Sequence, residues 1–212
     1  MTIALPRLDR STAAERGLTI ADFLVPVRLA ERTPIRVRHA ALIAIGALFV
    51  ALTAQVYIPT TPVPFTGQTF GVLVVGGALG LRRGAAALLL YLLVGVLGVP
   101  VFAQGDAGRE VLLGATGGYL IGFVAAAAVV GRLAELGWDR RLSGALVTML
   151  VGTAIIYAVG VPWLKVTTGM PWAEAVSVGM TKFLIWDAAK LAVAAGLFPL
   201  AWWLVGRRPE DR

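Results

Sequence analysis

Cysteine is absent from the 212 residues, histidine occurs once, at His39, and serine only at Ser11, Ser143 and Ser177. The first absence excludes disulfides, Cys-ligated zinc, iron–sulfur clusters and thiol nucleophiles together. The other two leave no serine–histidine or metal constellation for an intramembrane enzyme, so the chain is read as a non-enzyme with no metal site and no cofactor. Charge is also scarce, at 15% of residues, against 58% hydrophobic residues and 25 glycines. That leaves too little polar surface to cover a water-soluble globule of this size. No G-x-x-x-x-G-K-[ST] phosphate cradle occurs, so the chain does not energise anything by hydrolysing ATP itself.

What is present is apolar sequence in membrane-sized runs, since about 20 apolar residues cross a hydrocarbon core of about 30 Å. From His39 to Leu81 there are 43 residues without Asp, Glu, Lys or Arg. Charge-poor windows follow at Gly84–Gly108, Val111–Gly131, Leu142–Leu164 and Phe183–Gly206. The first window holds Pro59, Pro62 and Pro64, which no continuous helix tolerates. Cutting it there predicts a helix over His39–Ile58, a Pro-rich connection over Pro59–Gln68 and a short helix over Thr69–Leu81. The fold class expected is therefore an all-α integral membrane protein with six transmembrane helices spanning 38–206.

The basic residues carry the orientation. Of 19 Lys and Arg, fifteen fall on one side of a six-helix arrangement: Arg7, Arg10, Arg16, Arg28, Arg32, Arg36, Arg38, Arg82, Arg83, Arg132, Arg140, Arg141, Arg207, Arg208 and Arg212. Only Arg109 and Lys165 fall on the other, and Lys182 and Lys190 lie in or at the last helix. By the positive-inside rule both termini are cytoplasmic, and the +7 net charge signals membrane orientation rather than nucleic acid. Residues 1–37 have no apolar core or cleavage site after Met1 and read as a cytoplasmic basic arm, with 207–212 as a short tail. Within the arm, Leu18–Leu29 suits a surface-lying amphipathic piece or a solvated segment equally.

Two places could hold a ligand. In the last helix Asp187 and Lys190 share a face, in the half nearer the outer surface, where an ionised residue costs about 2.5–3.5 kcal/mol. Either the two compensate each other and fix that helix against its neighbours, or they hold a guest. The connection Val56–Thr69 is too apolar for a watery loop and too rich in proline for a helix, so it is either a lid over the outer face, with Tyr57, Thr66 and Gln68 as hydrogen-bonding ends, or an ordinary turn. A glycine-rich stretch, Gly98–Gly118, lies on the same side. Together these would enclose a mostly apolar pocket with one carboxylate, one ammonium and a few amides, suited to a small amphipathic molecule rather than a bare cation. An ion-coupled secondary transporter using Asp187 as proton carrier is the alternative, although no second inverted half is visible.

Four motifs, in this order, resemble the BioY family: Val63-Pro-Phe-Thr-Gly-Gln-Thr69, Leu97-Gly-Val-Pro-Val-Phe-Ala, Gly114-Ala-Thr-Gly-Gly-Tyr-Leu-Ile-Gly-Phe123, and Lys182-Phe-Leu-Ile-Trp-Asp-Ala-Ala-Lys190. BioY proteins are biotin-specific S components of energy-coupling-factor (ECF) transporters. The resemblance implies a six-helix subunit of the bacterial cytoplasmic membrane that binds biotin near the outer surface beneath the Pro-rich loop. Its partners would be a membrane-embedded T component and cytoplasmic ATPases, with biotin as cargo rather than prosthetic group. It implies that Asp187 and Lys190 meet the ureido group, that Phe65, Tyr91 and Trp186 bury the ring and valeryl chain, and that Thr66 and Gln68 close above. Gln104 stands where the family commonly has glycine and is a candidate amide contact. The small residues Ala40, Ala44, Ala47 and Ala51 would dock the T component.

Overall fold

The computed structural model describes residues 17–24 and 34–205. Residues 1–16, 25–33 and 206–212, which hold most of the basic arm and the tail, lie outside the described residues. Helices dominate: α1 (Ile20–Leu24), α2 (Ile35–Ala54), α3 (Gln68–Val96), α4 (Arg109–Leu113), α5 (Gly117–Glu135), α6 (Leu142–Thr168), α7 (Trp172–Gly179) and α8 (Leu184–Val205). Two short strands, β1 (Tyr57–Ile58) and β2 (Phe65–Thr66), pair antiparallel with Tyr57 opposite Thr66. Among the described residues, five helical stretches are long and apolar enough to cross a membrane: α2, α3, α5, α6 and the run Trp172–Val205 that joins α7 to α8.

The boundaries expected from the charge-free windows shift in consistent ways. The first helix starts at Ile35 rather than His39 and stops at Ala54, because Tyr57 and Ile58 leave the helix to pair with Phe65 and Thr66 around the prolines. The second window, Gly84–Gly108, stops being helical at Val96, and its remainder is loop with a 3-10 turn over Ala103–Gly105. The fifth helix runs on to Thr168, through Pro162, and Gly169 caps it in the left-handed conformation that glycine tolerates.

The short second helix and the one after it form a single stretch, α3, that bends back on itself. Gly80 has φ 82° and ψ 177°, a region essentially reserved for glycine. A β-carbon on Gly84 would lie 3.1 Å from Cα of Gly76, whereas eight residues of straight helix would separate the two by about 12 Å. The chain therefore reverses at Gly80, and residues 68–79 and 81–96 are two arms of a hairpin. The Glu135 carboxylate holds the turn by accepting the Leu81 amide at 2.9 Å.

Helix α5 runs through the middle of the bundle, with Ala126, Ala127, Val130 and Ala134 fully buried. Its small residues let neighbours approach closely: a β-carbon on Gly76 would meet the Ala127 carbonyl at 2.8 Å, and one on Gly118 would meet Trp163 at 2.2 Å. Leu48, Leu52, Leu89, Leu93 and Leu150 point outward and are more than half exposed, as lipid-facing side chains are.

The connections 55–67, 97–116 and 169–183, the last two carrying α4 and α7, meet at one end of the bundle, away from the Gly80 turn. At the Gly80 end the described part of the N-terminal arm packs into the protein. Neither a surface-lying nor a solvated segment describes it, because Thr19, Ile20 and Ala21 are buried. The Asp22 carboxylate accepts the Thr19 amide at 3.0 Å and the Thr19 hydroxyl at 3.2 Å across the first turn of α1, and Arg83 closes two bonds on it at 2.7 and 2.9 Å. Phe23 packs edge-on to Trp202 at 5.5 Å, and Arg140 stacks over the same indole and donates to the Leu18 carbonyl.

The Trp202 indole donates to Asp139 at 2.7 Å. Burial pushes the Asp139 carboxyl up to about 6, against the opposing pull of Trp202 and Arg140. Between pH 4 and 6 the folded state then binds more protons at this site than the unfolded chain. Asp139 therefore costs about 3 kcal/mol of stability as pH rises through that window. Unfolding of detergent-solubilised protein should show that slope in the wild type and its loss in Asp139→Asn. Gly80→Ala should lower stability by about 1–3 kcal/mol, measured as a drop in melting temperature, because the added carbon meets Glu135 Oε1 at 2.7 Å in a forbidden backbone region.

Candidate functional site

Asp187 lies in the first turn of α8, where a carboxylate complements the positive helix end. It is 6% exposed. One turn later, the Lys190 ammonium reaches Asp187 Oδ1 at 2.5 Å. The ammonium also donates to Thr69 Oγ1 at 2.8 Å and to the Thr66 carbonyl at 2.9 Å, so its three protons all have acceptors. Thr69 passes its own proton on to Asp187 Oδ1 at 3.2 Å, and the Tyr157 hydroxyl donates to Oδ2. The pair is compensated by these contacts and ties α8 to the start of α3 and to α6. A guest is not required to complete its hydrogen bonding. A ligand that takes a proton from Lys190 must replace one of the threonine acceptors.

These groups form part of the wall of a cavity of about 240 Å³ at the loop end of the bundle. Thr66, Gln68, Thr69, Gln104, Tyr157, Asp187 and Lys190 supply polar atoms to it, and Phe102, Leu120, Phe123, Ile156 and Phe183 supply apolar wall. Pro62, Val63 and Pro64 line it from the β1–β2 hairpin. Gln104 contributes from a left-handed backbone, φ 66°, unusual for a residue with a side chain. Among the described residues no three His, Asp or Glu side chains converge as metal ligands do.

The sequence-predicted residues fall into three groups. Thr66, Gln68, Gln104, Asp187 and Lys190 come together in the wall. Phe65 and Tyr91 stand behind it: Phe65 stacks on the lining Phe183 with ring centres 4.3 Å apart, and Tyr91 accepts the Gln68 amide at 2.7 Å and packs against Phe102. The Gln68 amide is held from its other end by the Thr66 hydroxyl, at 3.0 Å. Trp186 and Tyr57 are outside. Trp186 is 57% exposed on the flank of α8, because one residue before Asp187 is about 100° around the helix. The stripe on α2 is also divided: Ala40 and Ala44 are exposed, Ala51 is half-buried and Ala47 is buried in the core.

Tyr157, Thr69 and Asp106 line the cavity without having been singled out. Tyr157 sits in an apolar run with nothing local to mark it. Thr69 lies seven residues before the Gly76 contact, at the end of the Val63–Thr69 motif, and that position was its only signal.

The sequence signature of the BioY family matches residues 27–207. The chain belongs to the BioY family. The biotin transporter BioY of Thermotoga maritima is 41% identical over 155 residues, covering 73% of this chain and 86% of that protein. Biotin transporter BioY2 of Lactococcus lactis subsp. cremoris is 37% identical over 163 residues, covering 76% and 87%. The fold is similar to that of the S-component for biotin from an ECF-type ABC transporter, with a TM-score of 0.70, 24% identity, and coverage of 77% of this chain and 90% of that one. The four motifs that carry the BioY resemblance all reach the cavity or its backing, the third through Gly114, Thr116, Tyr119 and Phe123.

If the Asp187–Lys190 pair is the bond that seats α8, removing one partner strands a charge. Asp187→Ala should destabilise the protein by about 3 kcal/mol, and adding Lys190→Met should recover most of that, as read from thermal unfolding of the single and double variants.

Proposed function

We propose that this BioY-family protein captures biotin as the S component of an ECF-type transporter. The observation that carries the reading is the cavity at the loop end, walled by the Asp187–Lys190 pair and by Thr66, Gln68 and Gln104, in a chain of this family. The ureido ring meets both charges: its N–H groups donate to Asp187, and Lys190 turns from the Thr66 carbonyl or Thr69 hydroxyl to the urea oxygen. Both contacts are charge-assisted in a site shielded from water. The sulfur ring and valeryl chain lie against Phe123, Ile156 and Phe183, and the tail points to the mouth between the β1–β2 hairpin and the 103–106 turn. Phe65 and Tyr91 act from behind, by fixing Phe183 and the Gln68 amide, and Trp186 takes no part. The β1–β2 hairpin with its prolines is the lid.

With α3 counted as two arms, the chain crosses the membrane six times, which places both termini on one side. The concentration of arginine at the Gly80 end makes that side the cytoplasm of a bacterial inner membrane. A T component docks on the outward part of the α2 stripe, around Ala40 and Ala44, and cytoplasmic ATPases supply the energy. The chain carries no cofactor and catalyses no reaction; biotin is its cargo.

Purified protein should bind biotin with no ATP, ion gradient or added cation. Asp187→Asn should weaken binding by about tenfold to a hundredfold, from the loss of a charge-assisted contact, while Trp186→Ala binds as the wild type does. Assembled with T component and ATPases, Ala44→Trp should keep binding and lose uptake. Failure of the wild type to bind, or unchanged binding by Asp187→Asn, would overturn the site. Uptake that collapses with a proton gradient and ignores ATP would point to the ion-coupled carrier instead.

A further inference from the structure

Three charged side chains line the cavity, Asp106, Asp187 and Lys190. The last two neutralise each other at 2.5 Å in the buried part of the wall. Asp106 is exposed, and among the described residues that line the cavity it is the one charge not paired within the wall. The basic residue closest in sequence, Arg109, is outside the lining, with its side chain 81% exposed and turned to Glu110 at 3.5 Å.

The rim charge is also held in place. Phe102 is 1% exposed and anchors the turn beneath Tyr91. Its amide donates to the Asp106 carbonyl at 3.1 Å, its carbonyl accepts the Gln55 side chain at 3.0 Å, and the Gly108 amide donates to Gly95 at 2.8 Å. A turn tied to α2 and α3 at both ends keeps the Asp106 backbone at the mouth.

We infer that Asp106 sets the charge preference for the ligand's tail, so that the site takes a bicyclic urea with a neutral amide or ester tail more readily than the same ring ending in a carboxylate. The inference rests on the reading above, in which the urea goes to Asp187 and Lys190 and the tail to the mouth. A tail carboxylate would end near Asp106 in a wet, exposed rim. Two like charges about 7 Å apart in that setting weaken binding by about threefold at low salt, and salt removes the effect because the Debye length falls from about 30 Å at 0.01 M to about 3 Å at 1 M.

The test is binding of biotin and of biotin methyl ester to detergent-purified wild type and Asp106→Asn, at 10 mM and 500 mM salt. The ester should bind the wild type about threefold more tightly than the acid at low salt, with the gap closing at high salt. In Asp106→Asn the acid should gain about threefold and the ester should not change, which also reports that the variant is folded. Tighter or equal binding of the acid to the wild type at low salt, or a gap that survives Asp106→Asn, would overturn the role of Asp106 and leave the biotin reading standing. If neither compound binds the wild type, both readings fall.

Discussion

An ammonium in a hydrocarbon setting is tolerated only when every one of its protons is accepted, and Lys190 shows how much structure that condition fixes. Its three acceptors are a carboxylate on its own helix, a hydroxyl on the start of α3, and a backbone carbonyl in the strand before it. Those three atoms cannot be brought together unless α8, the first turn of α3 and the end of the β1–β2 hairpin meet at one point. Tyr157 adds α6 through the second carboxylate oxygen. One charged side chain thus seats the first turns of the last helix, and the Trp202 indole, bonded to Asp139, fixes its far end.

The opposite constraint operates along α5, where closeness comes from lack of side chain. Gly76 and Gly84 lie against Ala127, and Gly118 lies against Trp163. Without a hydrophobic driving force between helices in lipid, such backbone approach supplies the packing that holds the hairpin of α3 to the centre. Small residues in the middle and a polar knot at the loop end leave the cavity between them, bounded by rigid helices rather than by loops alone.

Much of this was legible in the residues. Charge-poor windows located every long helix, and the three prolines marked the place where the first window had to break. The reversal after residue 79 was legible because Arg82 and Arg83 separate two apolar runs, although the turn itself depends on a single glycine that looks like many others in the chain. Asp187 and Lys190 were visible as charges where charge is costly. What the one-dimensional pattern could not supply is direction around a helix when both flanks are apolar: Trp186 and Asp187 are adjacent in sequence and face opposite environments. Tyr91 and Phe65 were placed one layer too close to the cavity for the same reason, since an aromatic ring reads alike whether it forms a wall or backs one. The docking of residues 17–24 had no such signal, since the segment read equally as surface-lying or solvated.

That docking has a consequence for the order in which the molecule is made. Leu18, Thr19, Asp22 and Phe23 are made before α2, yet their partners Arg83, Arg140 and Trp202 are synthesised progressively later, the last of them about 180 residues on. Thr19 and Asp22 can close on Arg83 once α3 is made, whereas the Phe23 contact with Trp202 forms only after the last helix is in place, as the closing step of assembly. A fastener fitted last in this way holds only a bundle whose helices are all already in place.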